Sequence, residues 1–145
     1  MIRSLFFLCF LFLAASFWPA CQDIGKVPEV VKTAFQSKYP GEKDQDWHVD
    51  RNGNYEAHFK KDGDKYRVDF SPAGDWIETE RSIKKKDLPG PVKETIEREY
   101  DDAKIVELEW VDNAKKGIFY DIELKEGGQK FDVEINAEGQ VIGME

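Results

Sequence analysis

The chain has 145 residues, with 21 lysines and arginines against 29 aspartates and glutamates for a net charge of −8. That balance excludes a nucleic-acid surface, which needs a basic stripe. Both cysteines lie within the first 21 residues, so the remainder has no disulfide framework and must be held by apolar burial.

Met1-Ile2-Arg3 precedes an almost wholly apolar run over residues 4–17. A short cationic start before an apolar run is the form of a secretory signal, and the run is shorter than the roughly 20 residues a membrane-spanning helix needs. Trp18-Pro19-Ala20-Cys21 looks like the lipobox of bacterial lipoproteins, where a small residue precedes the lipidated cysteine. The expectation is a signal over 1–21, cleavage before a lipid-anchored Cys21, and residence in the periplasm or on the outer membrane. Residues 22–26 read as a tether.

VPEVVKTAFQSKYPG then puts Val27, Val30, Val31, Ala34, Phe35 and Tyr39 on one helical face, with Pro28 in the first turn and Pro40-Gly41 as the stop. From residue 44 the period changes to two. Trp47 and Val49, then Tyr55, Ala57 and Phe59, then Tyr66, Val68 and Phe70 point inward on three strands separated by turns at Asn52-Gly53 and Asp62-Gly63. A third turn at 71–74 leads to a last strand over 75–80. Residues 81–87, RSIKKKD, are a charged, solvated linker.

The pattern then returns. Residues 55–80, YEAHFKKDGDKYRVDFSPAGDWIETE, align without gaps on residues 120–145, YDIELKEGGQKFDVEINAEGQVIGME, with eight identities at an offset of 65. Matching glycines fall at the turns and matching apolar residues alternate, so the repeated object is a meander of strands. Leu88, Val92, Ile96 and Tyr100 stand where Val27, Val31, Phe35 and Tyr39 stood, and Pro89 where Pro28 did. The later strands read as 105–111, 119–125, 130–136 and 140–144, with a loop at 112–118 four residues longer than its counterpart. The predicted fold is α+β, a tandem repeat of helix plus four-stranded antiparallel sheet over 27–80 and 88–145. Each helix covers the apolar face of its sheet and leaves the other face open. A unit of ~60 residues is marginal alone and open edges invite aggregation. The two units are therefore expected to pack as one body, edge to edge or helix to helix.

VP..V...F...YP with YRVDFSPAGDWIETE, followed by LP..V...I...Y with KFDVEINAEGQVIGME, resembles the bacterial PepSY-like proteins, in particular their β-lactamase-inhibitor-like branch. The resemblance spans residues 27–145. It implies a tandem helix-plus-four-strand fold in the cell envelope and a non-catalytic binding or inhibitory role, and it transfers no contact residue.

The residues themselves give catalysis little support. Ser37, Ser71 and Ser82 have no histidine spaced to serve them, and no cysteine follows Cys21. His48 and His58 fall on the outward face of adjacent strands, where they could share a metal with Asp46 or Glu56. Their spacing matches no closed zinc pattern, so no metal or other cofactor is assigned. A periplasmic metal- or small-ligand carrier is the alternative function. KKDGDK lacks the ligand series of a calcium loop and reads as a turn. Trp47 and Trp110 fall in the inward phase and read as core; Trp76 is core if Phe70 pairs with it and a surface anchor if the loop is one residue shorter.

The strongest functional signal is charge. Residues 27–87 hold 12 basic and 13 acidic residues, whereas 88–145 hold 7 and 15. The outward positions of three strands in the second unit are Glu107 and Glu109, Asp121 and Glu123, and Asp132 and Glu134, all acidic. Like charges directly opposite destabilise a sheet, so six together suggest a face built for a protein partner with a basic patch.

Overall fold

The computed structural model describes residues 26–144; the expected signal, tether and lipid anchor at Cys21 lie outside the described residues. The elements in chain order are α1 (Glu29–Lys38), β1 (Asp46–Val49), β2 (Tyr55–Lys61), β3 (Asp64–Phe70), β4 (Trp76–Ser82), a 3-10 turn (Lys85–Asp87), α2 (Gly90–Glu99), β5 (Lys104–Asn113), β6 (Gly117–Glu126), β7 (Gln129–Asn136) and β8 (Val141–Met144). All eight strands form one antiparallel sheet in chain order, β1 to β8. The fold is α+β: two helices and a single eight-stranded sheet.

The helices start where the chain has a proline and stop where an aromatic residue turns out of the helix. Pro28 and Pro89 occupy the N-caps, where a missing N–H leaves nothing unpaired. At the other end the Tyr39 N–H closes on the Phe35 carbonyl and the Tyr100 N–H on that of Ile96. Val27, Val31 and Phe35 pack with Ala57, Phe59, Val68 and Phe70 as one buried cluster. Leu88, Val92 and Ile96 pack with Leu108, Ile122, Leu124, Val133 and Ile135 as another. Both helices thus lie on the same face of the sheet. Val30 departs from expectation: it is exposed, standing beside the β3–β4 turn, where its Cγ2 lies 2.9 Å from the Cβ position of Gly74.

The two halves join edge to edge. β4 pairs with β5 through Glu78↔Asn113, Thr79↔Asp112, Glu80↔Val111, Arg81↔Trp110 and Ser82↔Glu109. This seam corrects three expectations. Arg81 and Ser82, assigned to a linker, are strand, because β5 supplies a partner that β4 would lack as a free edge. Trp110 belongs to neither buried cluster. It sits at the β4–β5 seam on the helix side of the sheet, half-buried, with the Arg81 guanidinium 5.7 Å from its ring centroid. Residues 112–118 are mostly not loop: β5 and β6 pair as far as Asn113↔Gly117, leaving a three-residue tip. Asn113 holds that tip by accepting the N–H groups of Lys115 and Lys116 on Oδ1, at 2.8 and 3.0 Å.

At β3–β4 a bulge between Asp69 and Phe70 puts Phe70 opposite Trp76. Trp76 therefore faces the helix side, half-buried, with Nε1 donating to Thr79 Oγ1 at 3.1 Å and the Lys38 ammonium 3.9 Å from its ring centroid. KKDGDK is a hairpin turn, with Asp62 and Gly63 at φ +54° and +92°.

Candidate functional site

The face of the sheet without helices is built by strand alternation, and the observed registers align its residues in rows. One row runs His48, Glu56, Asp69, Glu78, Asn113. The next runs Asp46, His58, Arg67, Glu80, Val111, Phe119, Asn136. A third contains Ser82, Glu109, Asp121, Glu134 and Gly143, and a fourth Glu107, Glu123 and Asp132. The six carboxylates singled out from the sequence are together on this face. The first half contributes the outward-facing Glu56 and Asp69, and its last strand adds Glu78 and Glu80, which the sequence reading did not assign to this face. The signal was present in the alternation of Glu78 and Glu80, but it joins the others only once β4 is known to pair with β5.

The face is less solvated than an uncovered sheet surface should be. Val111 and Phe119 are 1% and 3% exposed, and Glu80 and Asp69 are 6% and 7%. No helix covers them, so neighbours on the same face do. Lys116 reaches back from the hairpin tip, its ammonium 5.3 Å from the Phe119 ring centroid and bonded to both Glu134 oxygens at 2.6 Å. Gly143 gives that carboxylate its place, since a Cβ there would stand 2.4 Å from Glu134 Oε2.

Arg67 is the cation at the centre. It pairs with Glu80, and lies 3.5 Å from both Asp69 and Glu78. One guanidinium cannot balance this many carboxylates under low solvation, so some of them keep their protons. Burial pushes Asp69 up to about 7 against the pull of Arg67, and its carboxyl donates to Glu78. Burial likewise raises Glu80, which donates to Glu109, itself raised by burial and by Glu107. Asp121 is pushed up to about 6 by burial and by the charges of Asp132, Glu109 and Glu134. Its Oδ1 is buried with no hydrogen-bond partner. Of the six predicted residues, Glu107 and Asp132 are exposed, while Glu109, Asp121, Glu123 and Glu134 are half-buried. Glu123 is held by Lys130 at 2.8 Å and Glu134 by Lys116. The patch is therefore partly neutralised by its own lysines and protons, which the sequence reading did not foresee.

His48 and His58 lie together at the β1–β2 end with ring centroids 4.7 Å apart. Each Nε2 is turned to a carboxylate of its own strand, Asp46 at 3.1 Å and Glu56 at 3.2 Å. Among the described residues no group of three or more His, Cys, Asp or Glu side chains is arranged to hold a metal.

The sequence matches the family model described as "Putative beta-lactamase-inhibitor-like, PepSY-like" over residues 53–143. No curated protein matches it. Among solved structures, a putative periplasmic protein from Bacteroides eggerthii superposes with a TM-score of 0.76 at 22% identity, covering 83% of this chain and 89% of that one. A DUF2874 family protein from Bacteroides uniformis gives 0.75 at 20% identity, over 81% and 88%. A BLIP-like protein from Bacteroides fragilis gives 0.73 at 19% identity, over 85% and 89%. These likenesses establish a shared fold.

Proposed function

Because the chain belongs to the beta-lactamase-inhibitor-like, PepSY-like family, we propose that it is a non-catalytic envelope protein that binds, and on binding inhibits, another protein through its helix-free sheet face. The observation that carries this reading is the carboxyl field itself. Glu107↔Glu123, Glu109↔Asp121, Asp121↔Glu134 and Glu123↔Asp132 are direct cross-strand pairs of acidic residues, whose repulsion Lys116, Lys130 and retained protons relieve only in part and which a face serving solubility alone would avoid by mixing signs. A partner with a basic patch relieves that repulsion and is steered toward the face by it.

The cationic start, the apolar run and Ala20-Cys21 support secretion and a lipid anchor on Cys21, and the fold is shared with a protein described as putatively periplasmic. We read the two halves as copies of one unit of helix plus four strands; the ungapped offset of 65 and the order of elements support that.

The test uses the exposed pair, whose reversal leaves the buried carboxyls intact. A partner recovered from envelope extract on the immobilised protein should associate with Glu107→Lys/Asp132→Lys far more slowly than with wild type at low salt. At high salt the two should converge, because the Debye length falls to about 3 Å at 1 M. An unchanged association rate at low ionic strength would overturn the role of this face.

A further inference from the structure

Where β4 begins, the β3–β4 turn and the tip of the β5–β6 hairpin enclose a cleft of about 660 Å³, a volume within the usual range of ligand sites. It exists because β5 and β6 are long. The Ala114 N–H donates to the Ile77 carbonyl at 2.9 Å, carrying the hairpin tip past the start of β4. Half-buried Trp76 and Ile77, with Ala114, give the cleft its apolar floor.

Most polar groups of its walls are already engaged. Ser71 Oγ donates to Asp75 Oδ2 at 3.1 Å, Asn54 Nδ2 to Asp50 at 2.9 Å and Asn113 Nδ2 to Glu78 at 2.7 Å. Lys116 extends to Glu134. Lys115 and Asp75 are the charged lining residues least committed: the Lys115 ammonium makes no ion pair among the described residues, and Asp75 accepts from Ser71 on one oxygen, Oδ2. A cation and an acceptor over an aromatic floor match a group that has a carboxylate, an N–H and an apolar body. The geometry points to a binding site for the C-terminal end of a polypeptide, with its last side chain on Trp76 and Ile77, its carboxylate at Lys115 and a backbone N–H at Asp75. A hydrocarbon acid fits less well, because it has no N–H to offer Asp75. The site borders the carboxyl field through Asn113 and Lys116, but neither of them is asked to hold the ligand, so its test is independent of that field.

The probe is a tetrapeptide, acetyl-Ala-Ala-Ala-Phe, with a free or an amidated terminus, and decanoate as the non-peptide acid. Titrated into the protein and followed by NMR, the free acid should shift the Trp76 indole N–H and the Lys115 amide. Loss of one charge-assisted hydrogen bond should make the amidated peptide about tenfold weaker or more. Lys115→Ala, on an exposed tip, should reduce the acid to the affinity of the amide. Equal binding of acid and amide, no shift at Trp76, or binding of decanoate without the peptide would each overturn the assignment.

Discussion

Replacing Glu80 by glutamine removes an ionisable group while keeping nearly its shape, and the structure fixes the sign of the result. Glu80 is 6% exposed, paired with Arg67 and donating to Glu109. Burial raises it far above the ordinary carboxyl value, so the folded chain holds a proton that the unfolded chain has released by pH 5. The unfolded state then binds fewer protons, and wild-type stability falls as pH rises, by about 1.4 kcal/mol per pH unit for this one group. Asp69 adds a similar slope until pH approaches its value of about 7. Glutamine keeps a carbonyl for Arg67 and an amide donor for Glu109, so at pH 5 the variant should match wild type to within about 1 kcal/mol, the net worth of an ordinary hydrogen bond. Over the two units from pH 5 to pH 7 the comparison should move by nearly 3 kcal/mol in favour of Glu80→Gln. Urea denaturation at half-unit steps of pH, fitted with a common slope against denaturant, measures this directly. A difference independent of pH would mean that Glu80 is ionised and bound to Arg67 as a simple ion pair, and would rule out the retained proton.

Phe35→Ala and Ile96→Ala truncate fully or nearly fully buried residues of the two clusters; each should cost about 2–5 kcal/mol, and because β4 and β5 are paired, the whole sheet should melt in one transition rather than two. Cys21→Ala should move the protein from the membrane fraction of a cell extract to the soluble fraction, and mass spectrometry showing an unmodified Cys21 in the wild type would sink the lipid anchor.

The sequence by itself determined the elements. A change of period from 3.6 to 2 is written residue by residue, so both helices, the turn at Asp62-Gly63 and the inward phase of Phe59, Val68, Ile122 and Val133 were legible without any partner strand. It also placed Glu107, Glu109, Asp121, Glu123, Asp132 and Glu134 on one face, since alternation alone decides that. The tertiary structure decided how the halves meet. Strand pairing across β4–β5 is a contact between residues about 30 apart, and no local pattern distinguishes an edge that pairs from one that stays free. That single choice extended β4 to Ser82, moved Trp110 from the core to a groove beside Arg81, and lengthened the β5–β6 hairpin until its tip closed a cleft against Trp76. It also brought Arg67, Glu78 and Glu80 against Glu109. The protonation of the site follows from that meeting, because a carboxyl's charge depends on how much water and how many like charges surround it, and both are properties of the assembled sheet.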